Sequence, residues 1–209
     1  MRKAVWYFDV ISPFAYLHLM RFGEFPKDLS IDYRPVLFAG LLNHWGQKGP
    51  AEITPKRQWT YRSCQFWADS HGVPFRFPAA HPFNPLHYQR LIIACGVTAE
   101  VVQKVFAHVW TTGADPGDEK RFAGLAKSLG ITDPFKLAAP EVKDALRRNT
   151  EEAAAAGVFG VPTFVAGGEV FWGNDSVDFF KAWLADPSIL TRPEMRRIDT
   201  LPVAAARKA

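Results

Sequence analysis

The chain has 209 residues with 48% hydrophobic and 14% aromatic side chains, enough for one sizeable core and not the composition of a disordered protein. Its net charge of +4 is modest, and much of the excess falls late, at Arg192, Arg196, Arg197, Arg207 and Lys208, which read as a solvated tail. A nucleic-acid binder would carry a denser basic stripe, so none is expected as a partner. Cys64 and Cys95 are the only cysteines and do not form a C-x-x-C, so each reads as a small core residue rather than part of a secreted disulfide scaffold. No apolar run approaches the length of a signal region or membrane span, which makes a cytoplasmic protein the expectation. The histidines at 18, 44, 71, 81, 87 and 108 lack ligand spacing, and no metal site is expected.

Ala4 to Val10 is a run of β-formers and predicts a buried strand. Ser12-Pro13 then opens a helix running to about Glu24. Two readings of this junction stand side by side. Ser as N-cap with Pro at N1 is an ordinary helix start. A hydroxyl beside the free N–H groups of a helix N-terminus is also a place for an anion or a thiolate. Ile31 to Phe38 reads as a second strand, so the first three elements form a βαβ unit with parallel strands.

Gly40, Gly46, Gly49 and Pro50 mark residues 40–50 as a loop or broken helix. Thr54-Pro55 reads as an N-cap and first turn of a helix ending at Gly72, and the prolines at 74, 78, 82 and 85 make the next stretch irregular. Helices follow over about 85–95, from Thr98 through Trp110, and over 118–129 with Gly130 closing the last. No strand pattern occurs between 40 and 130. Pro140-Glu141 starts a helix stopped by Gly157, Val158 to Val165 reads as a strand, and Gly167-Gly168 turns it into a hairpin with Glu169 to Trp172. Gly173-Asn174-Asp175 precedes a last helix through Leu184, and the segment after Pro187 carries weak signals.

The order is β-α-β, a helical insertion, then α-β-β-α. Residues 1–39 and 131–187 are thus expected to form a discontinuous thioredoxin-like domain with a mixed four-stranded sheet, 40–130 an all-helical insertion, and 188–209 a tail. In such a fold the redox cysteines sit at the start of the first helix, where this chain has Ser12 and Ala15, so thiol–disulfide exchange lacks its sulfurs there. Val161-Pro162 is in the place of a cis-proline whose preceding residue can pair with an extended peptide; a trans proline starting an edge strand is the other reading. Asn174 or Asp175 is either a plain N-cap or a source of a carboxylate for a cationic amino group.

Phe8-Asp9, Ser12-Pro13-Phe14 and Tyr16-Leu17, followed by Phe159-Gly160-Val161-Pro162-Thr163-Phe164 and Trp172-Gly173-Asn174-Asp175, resemble the 2-hydroxychromene-2-carboxylate isomerase family, which groups with DsbA-like proteins and is similar to kappa-class glutathione transferases. The resemblance spans the chain to about Leu184 and includes Gly49-Pro50, Thr54-Pro55-Lys56-Arg57 and Gly72-Val73-Pro74-Phe75. It implies glutathione as cofactor, Ser12 as the catalytic serine, Val161 beside Pro162 as the main-chain partner of the tripeptide, and Trp172, Gly173, Asn174 and Asp175 as holders of its γ-glutamyl end. Asn43, His44, Trp45 and Asn84 are the nearest matches to the family's substrate contacts. The implied activity is isomerisation of 2-hydroxychromene-2-carboxylate to trans-o-hydroxybenzylidenepyruvate in aromatic-compound breakdown, by a homodimer. A transferase acting on small electrophiles and a non-catalytic glutathione-binding module are the other two readings.

Overall fold

The computed structural model describes residues 2–205; Met1 and the late basic residues Arg207 and Lys208 lie outside that range. Strand β1 (Arg2–Phe8) leads through a short turn into helix α1 (Pro13–Met20), and β2 (Leu29–Pro35) returns parallel to β1. Near the C-terminus β3 (Thr163–Ala166) pairs antiparallel with β1, and β4 (Glu169–Trp172) pairs antiparallel with β3. The result is a mixed four-stranded sheet of order β2-β1-β3-β4, the thioredoxin-like arrangement.

Between β2 and β3 lie α2 (Phe38–Trp45), α3 (Thr54–Ser70), α4 (Leu86–Ala94), α5 (Ala99–Trp110), α6 (Glu119–Ser128) and α7 (Pro140–Ala155), and α8 (Val177–Ala185) follows the hairpin. Successive residues of a strand point to opposite faces, and β1 uses this to serve two cores. Ala4, Trp6 and Phe8 enter a large aromatic cluster with residues of α1, α5 and α8, while Val5 and Tyr7 pack toward Leu41 of α2 and Ala153 of α7. Full burial of side chains as large as Trp6, Phe8, Phe106 and Phe164 stabilises the fold by about 1.5–3 kcal/mol each. His18 is a core residue: its Nδ1 accepts from Trp6 Nε1 at 3.1 Å, and burial lowers its pKa to about 3.

Several boundaries differ from the sequence reading. Of the two readings of residues 40–50, the broken helix holds: α2 runs over Phe38–Trp45, and Gly40 serves a close crossing, since a Cβ there would lie 2.9 Å from Thr150 Cγ2 on α7. Gly46, at φ 62°, is the left-handed cap that ends α2. Helix α1 stops at Met20, and Phe22–Glu24 tightens into a 3₁₀ turn. Thr54 is the first residue of α3, not its N-cap; Ile53 holds that position without a side-chain bond. Strand β3 begins only at Thr163, because Val158 and Phe159 give their carbonyls to side chains, Trp45 Nε1 at 2.9 Å and Gln47 Nε2 at 2.8 Å. The segment after Pro187 forms a 3₁₀ turn, Pro187–Thr191, and helix α9 (Pro193–Asp199), each with proline in its first turn. Among the described residues no helix is long and apolar enough to cross a membrane.

Candidate active site

Everything at the site starts from the turn between β1 and α1. Asp9 ends the apolar run of β1 and is buried; its Oδ1 accepts from Ile11 N–H at 3.1 Å and its Oδ2 from Phe38 N–H at 2.9 Å. Burial outweighs those two bonds and pushes its pKa up to about 7. The carboxyl therefore ties the turn to the first residue of α2. Three further side chains, all from the helical stretch between β2 and β3, fasten the same turn from outside. Gln89 Nε2 donates to Phe8 O at 3.1 Å, Trp110 Nε1 to Val10 O at 2.9 Å, and His81 Nε2 to Ile11 O at 2.8 Å.

The Ile11 carbonyl can only accept, so His81 carries its proton on Nε2 in that contact. Burial lowers the pKa of His81, which keeps the ring neutral and leaves Nδ1 as an acceptor for the Tyr61 hydroxyl at 2.6 Å. Ser12 sits on this braced turn and is itself buried. Its Oγ accepts from Ala15 N–H at 3.2 Å, the N-cap bond, and donates to the Val161 carbonyl at 3.3 Å. The hydroxyl is thus both a helix cap and a link to the opposite side of the site. Pro13 has no N–H and Ala15 spends its own on Ser12, so Phe14 N–H is the first-turn donor without an acceptor among the described residues.

The opposite side is built from the start of β3 and the end of β4. The Val161-Pro162 peptide is cis. Val161 N–H takes no acceptor among the described residues. Gly173 N–H donates to Pro162 O at 2.9 Å, which brings residues 172–175 beside Val161. Gly173 lies at φ 92°, and a Cβ on it would collide with the Asp175 carboxylate, so this corner accepts only glycine. Trp172 is 52% exposed and lies over Gly160, with its ring edge-on to Phe159 at 5.0 Å. Asn174 is buried with its Oδ1 unpartnered, and the Asp175 carboxylate is exposed without a side-chain partner among the described residues. Neither Asn174 nor Asp175 caps α8, whose N-cap is Ser176. Arg21, at the end of α1, donates to Asn174 O at 3.1 Å and to Asp178 at 3.1 Å, joining this corner to α1.

The residues singled out in the sequence therefore fall into two groups. Ser12, Val161, Pro162, Trp172, Gly173, Asn174 and Asp175 are linked through the bonds just given. Asn43 and His44 are exposed on α2. Trp45 is exposed too, with its indole N–H spent on Val158 O. Asn84 Oδ1 accepts from Leu86 N–H at 3.0 Å at the start of α4. Sequence reasoning missed Tyr61, His81, Gln89 and Trp110, and quoted Asp9 without giving it a role. A lone carboxylate closing an apolar strand is the one local signal that could have marked Asp9.

A sheet of this order carrying a helix start opposite a cis-proline defines a thioredoxin-like protein, and the family profile described as a DSBA-like thioredoxin domain matches residues 4–185. Within that fold the chain belongs to the 2-hydroxychromene-2-carboxylate isomerase family. It is 30% identical over 196 residues to the 2-hydroxychromene-2-carboxylate isomerase of Sphingobium xenophagum, covering 89% of this chain and 100% of that protein. It is 28% identical to glutathione S-transferase kappa 2 of Caenorhabditis elegans over 89% of this chain and 93% of that one. A solved structure of a 2-hydroxychromene-2-carboxylate isomerase superposes with a TM-score of 0.73 at 27% identity, over 96% of this chain and 100% of that chain. The isomerases among these relatives support an isomerase function.

Proposed function

We propose that the protein is a glutathione-dependent isomerase acting on 2-hydroxychromene-2-carboxylate or a closely related aromatic carboxylate. The observation that carries this reading is the Ser12 hydroxyl, held at a helix start and 3.3 Å from the carbonyl of Val161, in a site whose helix start has no cysteine. The unspent groups of the site suit a bound tripeptide. Val161 offers its free N–H to an extended backbone, and its C=O once Ser12 turns to the sulfur; Asn174 Oδ1 is a buried acceptor in need of a donor, and Asp175 is a carboxylate without a side-chain partner among the described residues, open to an ammonium group. When bound, glutathione would supply a thiolate nucleophile suited to reversible addition at an unsaturated carbon of the substrate.

The chain's own residues do the rest. Ser12 is a weak nucleophile without an adjacent base, and no histidine is bonded to its Oγ. Its role in this reading is to donate to the sulfur, exchanging Val161 O for it. Together with Phe14 N–H at the positive end of α1 it favours the thiolate over the thiol. Asn43, His44, Trp45 and Asn84 line the substrate's side in this reading. Exposed Trp59 and Phe66 on α3 supply an apolar face for a homodimer, and the free thiols of Cys64 and Cys95 accord with a cytoplasmic protein.

The test is incubation with glutathione and 2-hydroxychromene-2-carboxylate, followed by ultraviolet absorbance. Turnover that needs glutathione and regenerates it supports the isomerase, and Ser12→Ala should lower kcat by about 10²–10³. The kappa-type relative favours a second reading, a transferase. Consumption of glutathione with formation of a conjugate would establish that instead. Thermal stabilisation by glutathione with no turnover would leave a binding module.

A further inference from the structure

A cavity of about 270 Å³ lies where α2, α4 and α7 meet. Its apolar lining comes from Leu37, Leu86 and Leu146, one residue from each side of the junction. The floor is tight: Gly40 of α2 passes so close to Thr150 of α7 that a Cβ would not fit, and Thr150 Oγ1 accepts from Leu37 N–H at 3.0 Å. Around the apolar part stand Arg90, Lys143, Arg147 and Glu151. Arg147 is occupied by Glu151 at 3.0 Å and Asp144 at 3.6 Å. Arg90 and Lys143 have no carboxylate partner among the described residues, and Arg90 Nε is sealed from solvent without an acceptor.

A permanent cation lining a cavity with no carboxylate partner calls for an anion, and charge-assisted bonds from guanidinium to carboxylate are the strong ones. An apolar wall beside two uncompensated cations also excludes a bare inorganic ion as the best-fitting ligand, because the leucines would gain nothing from it. We propose that this cavity binds a small carboxylate carried on an apolar ring, with the carboxylate on Arg90 and Lys143 and the ring against Leu37, Leu86 and Leu146. The site lies outside the residues that link Ser12 to Asp175 and does not depend on glutathione. It is nonetheless one peptide from them, since Leu37 bonds Thr150 and the next residue, Phe38, bonds Asp9.

Calorimetric titration of benzoate into the full chain without glutathione tests this. Binding should weaken at least tenfold in Arg90→Gln and in Lys143→Gln, weaken with added salt, and persist unchanged in Ser12→Ala. Lys143 is exposed, so its variant cannot lose binding through misfolding. Benzamide, with the same ring and no charge, should not bind, and inorganic phosphate should bind less tightly than benzoate. No binding at millimolar benzoate, equal binding by benzamide, phosphate as tight as benzoate, or unchanged affinity in both charge variants would overturn the proposal. Because every arm omits glutathione, its failure and failure of the isomerase reading are separable.

Discussion

The two sides of the candidate site spend their hydrogen-bonding groups in opposite ways. On the Ser12 side nearly every polar group has a partner. Asp9 takes two amides, and the carbonyls of Phe8, Val10 and Ile11 are taken by Gln89, Trp110 and His81. On the Val161 side the groups are held in place by few bonds and left unspent: Val161 N–H, Asn174 Oδ1 and the Asp175 carboxylate. The first side is rigid and arrives already satisfied, as a site that must aim one hydroxyl requires. The second keeps capacity for something else to satisfy, as a binding edge requires. The Ser12–Val161 bond is where the two meet.

Removing the anchor beneath the turn should have the largest effect. Asp9→Ala orphans Ile11 N–H and Phe38 N–H together and should destabilise the protein by about 2–6 kcal/mol, read from urea midpoints. The same carboxyl should impose a pH dependence. Its folded pKa is raised from 3.8 to about 7, so the folded protein holds a proton that the unfolded chain releases between those values. Stability from this group is complete below about pH 4, declines as pH rises toward 7, and levels off above it. Asp9→Asn should flatten that slope. A slope unchanged in the variant would mean that another group titrates there.

Next comes the outer brace. His81→Phe keeps a ring in the cluster with Phe77 and Trp110, and the main-chain carbonyl of residue 81 still accepts from the Tyr61 hydroxyl, but Ile11 O loses its donor. It should lower stability by about 1–2 kcal/mol. It should reduce kcat more than it raises the KM for glutathione, because it loosens the Ser12 side and leaves the Val161 side alone. A rise in KM at constant kcat would erase the distinction between the sides.

How far these features can be read from the sequence divides along the same line. Ser12, Val161-Pro162 and Trp172 to Asp175 are local motifs at strand ends, and the β-α-β … α-β-β-α order that places them follows from period and punctuation. The braces are long-range. Gln89, Trp110 and His81 reach the turn from 81, 100 and 70 residues away, and no local pattern tells a core tryptophan from one aiming its N–H at a particular carbonyl. His81 lies in a proline-rich stretch whose only legible property is irregularity. Helix α2 is ambiguous in the sequence, between a loop and a broken helix, for a related reason. Gly40 argues for a loop by propensity, yet it is there because α2 and Thr150 of α7 nearly touch, and tertiary packing overrides the local preference. Val158 and Phe159 look like strand residues but give their carbonyls to Trp45 and Gln47, partners visible only once α2 is known to be a helix.

The smallest effect on the fold should come from the unspent side, and it separates the two sides most sharply. Asp175 is exposed and bonds to no side chain among the described residues, so Asp175→Asn removes a charge without orphaning a buried group. The melting temperature of the free protein should stay within about 2 °C of the parent, since surface changes away from such features fall within about 0.5 kcal/mol. Under the proposed glutathione reading, the KM for glutathione should rise by about fivefold or more while kcat at saturation is retained, because the interaction lost would be with a part of the tripeptide remote from the sulfur and the same before and during reaction. The glutathione-induced rise in melting temperature should shrink in step. If Asp175→Asn instead lowered kcat with KM unchanged, the carboxylate would belong to the chemistry, and the Val161 side would be more than a binding edge.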